Sequence, residues 1–147
     1  MTSSPDTPRA LGFRMPAEWE PHAATWIAWP HNRSDWPGKF PPIPWVYAEI
    51  VRVLTQGERV CIFAQSAAER DAALRILERD GADLDRVEFH LRPTDRVWTR
   101  DSGPIFVRSE RALGICDWKF NAWAKYDDWK HDDRLPAYVA KKLGLRS

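Results

Sequence analysis

The densest chemistry in the chain is the run Pro93-Thr-Asp-Arg-Val-Trp-Thr-Arg-Asp-Ser-Gly-Pro104. It places Asp95, Arg96, Trp98, Arg100 and Asp101 beside a Gly-Pro turn. A carboxylate accepts two parallel N–H bonds from a planar guanidinium, which supplies both charge and orientation. An indole face beside that pair adds cation–π attraction and fixes the plane. Trp98 with Asp101 is therefore equipped to hold a guanidine group. The same residues also fit an internal ion pair, Arg100 with Asp101 or Asp95, bracing a turn.

Other reactive side chains are sparser. Cys61 and Cys116 each sit in an apolar run, as expected of buried core thiols. No CxxC motif or His/Cys cluster occurs along the sequence, so no structural metal and no metal ligand is expected. His22 and His31 flank a Trp-rich stretch and read as partly buried histidines bonded to backbone; His90, at a strand end, reads as structural or exposed. Lys119, Lys125, Lys130 and the pair Asp127-Asp128 read as a solvated face. The chain holds nine tryptophans, enough either to line a cleft for a flat cation or sugar or to fill a small core. Trp123, in a loop, fits either role.

The elements that must position these residues follow from periodicity. Ala24 to Trp29 reads as a buried strand ended by Pro30. Helical spacing of Val46, Ile50, Val53 and Leu54 predicts a helix over Trp45 to Leu54, with Gly57 beyond its end. Arg59 to Ala64 reads as a strand. Ser66 followed by Glu69 is a capping-box signature. It opens a helix to Asp80 that buries Ala73, Leu74 and Leu77 and is closed by Gly81. Val87 to Leu91 reads as a strand, and Ile105 to Val107 and Leu113 to Asp117 as two strands joined by a polar turn. Asn121 to Asp133 has no clear period and reads as a loop; Leu135 to Leu143 reads as a helix capped by Gly144. The order is a mixed α/β pattern.

Bulk properties exclude several classes. The 147 residues suffice for one domain; 44% are hydrophobic and 29% charged, as in folded proteins generally. The net charge of +1 points to no nucleic-acid partner. No apolar run reaches the roughly 20 residues that span a bilayer, and no signal pattern opens the chain. A cytoplasmic location is the default expectation. Residues 1–14 are expected to be a flexible N-terminus.

Four segments in order carry a resemblance: Met15-Pro-Ala-Glu-Trp-Glu-Pro-His22 with Thr25-Trp-Ile-Ala-Trp-Pro-His31; Asp35-Trp-Pro-Gly38; Trp98-Thr-Arg-Asp-Ser-Gly-Pro104; and Asp117-Trp-Lys-Phe-Asn-Ala-Trp123. Together they resemble the N-terminal portion of the agmatine deiminase and bacterial peptidyl-arginine deiminase family. The resemblance implies a pentein fold, in which five ββαβ-like modules surround a central active site. Residues 15–147 would then be an incomplete catalytic domain holding the first two or so modules. It implies hydrolysis of a guanidine, agmatine foremost, to a urea and ammonia through a cysteine thiolate, with no cofactor. It also implies a small guanidine substrate as partner and a homo-oligomeric assembly. Asp101 matches the family's guanidinium-gripping aspartate and Trp98 the tryptophan against which substrate lies; Trp123, in the loop after the second hairpin strand, fits either a wall of the cavity or simple packing. The family's Glu-Gly-Gly, Gly-His-Val-Asp and Ile-His-Cys segments have no counterpart here, so the nucleophile and acid/base histidine are expected beyond Ser147. The alternatives are a catalytically dead module binding a guanidinium or other cation, or a deiminase acting on peptidyl arginine.

Overall fold

The computed structural model describes residues 7–147. The first six residues of the expected flexible N-terminus lie outside that range. Residues 8–13 form a turn closed by the Phe13 N–H donating to the Pro8 carbonyl at 2.8 Å.

Three parallel strands form the main sheet in the order β1 (Ala24–Ala28), β2 (Arg59–Ala64), β3 (Val87–Leu91). Helix α1 (Ile43–Leu54) joins the first pair and α2 (Ala67–Asp80) the second. Each unit is a βαβ crossover, the connection that parallel neighbours need. The central strand β2 is apolar along its length and buried from Val60 to Ala64, as a strand covered on both faces must be.

The pleat sorts side chains by parity. Ile27, Val60, Ile62, Val87 and Phe89 face α1 and α2, packing with Ala48, Val51, Ala73 and Leu77. Trp26, Ala28 and Phe63 face the opposite way, toward Val97, Ile115 and the helix α4 (Leu135–Leu143), which contributes Leu135, Val139 and Ala140. Between β3 and α4 lie a single helical turn, α3 (Thr99–Ser102), and an antiparallel hairpin of β4 (Ile105–Arg108) and β5 (Leu113–Cys116). Arg14 pairs with Arg108 on the outer side of β4, and Gly114 of β5 bridges to Arg146.

Local chemistry explains the boundaries. Helix α1 begins at Ile43, two residues before the expected Trp45, because Pro44 falls in its first turn, where the missing N–H costs nothing. Ser66 Oγ accepts the Glu69 N–H at 3.2 Å. The return arm of the expected box is displaced: Glu69 accepts from Gln65 N–H at 2.6 Å. Helix α2 buries Ala73 and Leu77 but leaves Leu74 half-buried, so its core face is narrower than expected. Gly81 ends it with φ of 80°, in the left-handed region that glycine enters freely.

Candidate functional site

All the segments of interest lie beyond the C-terminal edge of the parallel sheet, where open α/β sheets place their ligands. After β1, His31 Nδ1 lies 3.1 Å from the Trp29 carbonyl, and Asn32 donates to the Asp95 carbonyl at 3.1 Å. After β2, the Gln65 amide donates to the Thr94 carbonyl and hydroxyl at 2.9 and 3.1 Å. After β3, the Arg92 N–H donates back to the Ala64 carbonyl at 2.9 Å. These bonds tie residues 92–96 to the rim of the sheet.

A second set of bonds clamps 95–96 to 131–132. The fully buried Asp132 carboxylate accepts the Asp95 and Arg96 N–H groups at 2.7 and 3.1 Å, while the Asp95 carboxylate accepts the His131 N–H at 2.7 Å. Burial pushes the Asp132 carboxyl up to about 6, reinforced by the nearby Asp95 charge and opposed by the two N–H bonds.

Arg96 is the hub. It is 9% exposed. Its guanidinium bonds to Asp35, to Ser34 Oγ at 2.9 Å and to Asp128 at 2.8 Å. It also lies 5.2 Å from the Trp98 ring centroid and 4.9 Å from that of Tyr126. The carboxylates satisfy its charge and the two rings cover its faces. The internal ion pair of this segment is thus Arg96 with Asp35 and Asp128. Arg100 pairs with Glu18 at the surface, and Asp95 serves a backbone N–H. Asp128, expected on a solvated face, is half-buried because Arg96 draws it in. Lys119, from the same expected face, pairs with Asp133 and stands 4.7 Å over the Trp129 ring.

Trp98 is half-buried and centres an aromatic group: Trp123 and Tyr126 both lie 5.4 Å from it, and Phe120 lies 5.6 Å from Trp123. From Trp98 the chain turns directly into α3. The Asp101 and Ser102 N–H groups donate to the Trp98 carbonyl at 3.0 and 3.1 Å. A Cβ at Gly103 would stand 2.3 Å from the Thr99 carbonyl oxygen, so only glycine closes this turn. Asp101 therefore sits on a helical turn between strands and not at a strand's end. Its carboxylate is exposed and has no ion-pair or hydrogen-bond partner among the described residues. Trp123 is 56% exposed and belongs to three consecutive left-handed residues, Ala122, Trp123 and Ala124, with φ of 49°, 56° and 55°. The fold thus brings Trp98 and Trp123 together and places Asp101 one helical turn from Trp98, its carboxylate free. A free carboxylate one helical turn along from an aromatic group has the chemistry to hold an organic cation.

The cysteines are differently placed. Cys61 is buried in β2, and desolvation with the Glu88 charge pushes its thiol up to about 11. Cys116 is half-buried at the end of β5. A thiol so raised is almost wholly protonated at neutral pH, and only a thiolate is a competent nucleophile.

Sequence pattern places Arg96 in the dense run but gives it no partners: Asp35 and Asp128 bind its guanidinium, and Asp132 its backbone N–H. The Arg-x-Trp spacing at 96–98 was the one available signal, since an arginine next to tryptophan is a common stacking partner.

Known proteins match this chain in sequence and in fold. The curated agmatine deiminases of Ectopseudomonas mendocina and of Pseudomonas aeruginosa are each 35% identical over 150 residues, covering 97% of this chain. The chain spans 38% of the length of these relatives. The agmatine deiminase structure of Enterococcus faecalis superposes with a TM-score of 0.82 at 25% identity, over 96% of this chain and 39% of that one. A C. jejuni agmatine deiminase structure with substrate bound gives 0.75 at 23% identity, over 92% of this chain and 39% of that one, which bears on the fold alone. The family described as Porphyromonas-type peptidyl-arginine deiminase matches residues 14–147, and to that family the chain belongs.

Proposed function

We propose that this chain supplies the guanidinium-binding wall of a guanidine deiminase, with Asp101 gripping the guanidinium and Trp98 and Trp123 flanking it. The observation that carries this reading is the unpartnered Asp101 carboxylate on a turn that begins at the aromatic group of Trp98, Trp123 and Tyr126. The other acidic group of the 95–101 segment, Asp95, is engaged by the His131 N–H. In this role Asp101 accepts two guanidinium N–H groups and the indoles hold the plane, which presents the central carbon to attack. A thiolate then adds to that carbon, and ammonia leaves with a proton from a histidine. The histidine next takes a proton from water, which displaces the sulfur and leaves a urea.

The thiolate and the histidine belong to residues outside 1–147 in this reading, because Cys61 is raised and buried and Cys116 has no assigned base. Residues 15–147 form the first part of one catalytic domain, about two of five ββαβ-like modules. Agmatine, giving N-carbamoylputrescine and ammonia, is the favoured substrate, since that is the activity named for the relatives. The family name makes peptidyl arginine the second reading.

A chimera tests this. The chain replaces the matching region of the P. aeruginosa agmatine deiminase, and ammonia release is followed with agmatine and with a blocked arginine peptide. The expected result is turnover of agmatine that falls at least about tenfold in Asp101→Asn, as loss of a charge-assisted bond of about 1.5–3 kcal/mol requires. A folded chimera whose rate and KM ignore that substitution would remove Asp101 from the site. Turnover of the peptide alone would favour the second reading.

A further inference from the structure

On the α4-facing side of the sheet, one polar cluster has no part in the proposed site. Cys61 pairs in register with Glu88, and Phe63 with His90. Alternation therefore puts Glu88 and His90 on the face that carries Cys61. A Cys61 sulfur, a Glu88 carboxylate oxygen and a His90 ring nitrogen all lie within 4.8 Å of one another.

His90 is the informative member. It is 4% exposed, and its ring stacks on Trp26 with centroids 4.7 Å apart. Nδ1 lies 3.1 Å from the Tyr138 hydroxyl. Nε2 is buried without a hydrogen-bond partner among the described residues, with Glu88 Oε1 3.5 Å away. A buried polar atom left unpaired is costly, so this position calls for a partner. When the Tyr138 oxygen accepts from Nδ1–H, the Nε2 lone pair points into the cluster. That is the tautomer a metal-ligating histidine needs, with a second partner holding the far nitrogen. Cys61 is 5% exposed and its sulfur is free. Glu88 closes the set on its solvent side, where Arg59 holds Oε2 at 2.7 Å and Lys142 stands 3.5 Å from Oε1.

We propose that Cys61, Glu88 and His90 form a site for a borderline-soft divalent cation of the zinc class. One sulfur, one imidazole nitrogen and one carboxylate oxygen are the donors such an ion prefers, and three protein ligands leave a fourth position for water. Bond lengths of about 2.0–2.3 Å around a tetrahedral ion set the donors roughly 3.5 Å apart, so closing the observed cluster takes shifts of about an ångström. Binding releases the thiol proton to solvent and moves Lys142 off Glu88. The thiolate and carboxylate then balance the ion's charge. Sequence spacing expected no metal because the ligands come from adjacent strands, not from one CxxC loop.

The probe is Co²⁺ alone, added to the metal-free chain. The expected result is a sulfur-to-cobalt charge-transfer band that saturates at one Co²⁺ per chain and is displaced by Zn²⁺. Cys61→Ser, and independently Cys61→Ala, abolish the band although Cys116 remains. Glu88→Gln, at a partly exposed position that tolerates change, weakens Co²⁺ binding at least about tenfold, and Tyr138→Phe weakens it about tenfold. A folded wild-type chain, checked by circular dichroism, that gives no thiolate band overturns the proposal. So does a band that survives both Cys61 substitutions, or a Co²⁺ affinity unchanged in Glu88→Gln.

Discussion

Arg96 joins three loops from a position with almost no solvent access, and its charge is balanced among the described residues by Asp35 and Asp128. Removing one member of a buried ion pair strands the other, at a cost of about 3–5 kcal/mol. Arg96→Ala is therefore expected to lower the unfolding free energy by about that amount in urea titration. Arg96→Lys keeps the charge but loses the fork, and should fall between. A loss within experimental error for Arg96→Ala would show that the pair is not the brace it resembles. Asp132 carries the pH dependence. Its carboxyl is raised in the folded chain to about 6, above the usual carboxylate range. A raised acid binds more protons folded than unfolded, so stability from this group is full below about pH 4 and is lost as pH rises through 6. The full loss between strongly acid and neutral pH is about 3 kcal/mol at 1.36 kcal/mol per unit, most of it between pH 4 and 7. Comparing wild type with Asp132→Asn across that range isolates it: the difference in stability should shift against wild type as pH rises. Residue type and spacing single out Trp98, Asp101 and Arg96 as candidates within one dense run. The partners of Arg96 leave no such trace, because Asp35 lies 61 residues before it and Asp128 lies 32 after. No local pattern encodes a pair that only the fold brings together.

Elements with strong periods were legible almost to the residue. Strand β2 and helix α4 fall where an apolar run and Gly144 place them, because a buried parallel strand and a glycine-capped helix each leave a local trace, and β3 falls where Val87, Phe89 and Leu91 alternate with Glu88 and His90. The turn at Ala122–Ala124 left none, since three left-handed residues without a glycine contradict local preference. Each costs about 1–2 kcal/mol in that region. Trp123 is held there by the stack on Trp98 and Phe120. Ala124 is exposed and contributes no buried side chain. Ala124→Gly should thus raise stability by roughly 1 kcal/mol, after the entropy glycine gives up. A fall in stability would mean that the methyl is engaged. At α2, Ser66→Ala removes the oxygen that accepts the Glu69 N–H and should cost about 1 kcal/mol in thermal unfolding.

At the scale of the whole molecule, α1 has two apolar sides. Ala48 and Val51 are buried against the sheet, while Val46, Ile50 and Val53 are each more than 40% exposed and recur at helical spacing. Such a stripe is the kind of surface that another surface covers. The chain is therefore expected to self-associate in sedimentation velocity, and the double substitution Ile50→Lys with Val53→Glu should shift it toward monomer. A wild-type chain that sediments as a monomer at high concentration would show that water tolerates the stripe. Among the described residues no helix is long and apolar enough to cross a membrane. Arg14 and Arg108 exchange two backbone hydrogen bonds, at 2.9 and 2.8 Å, although the whole three-stranded sheet lies between them in the chain. Closing so long a loop has an entropic cost that is recovered only once the intervening sheet has formed. In pulse-labelled refolding, the amides of β2 should accordingly gain protection first, and those of Arg14 and Arg108 last.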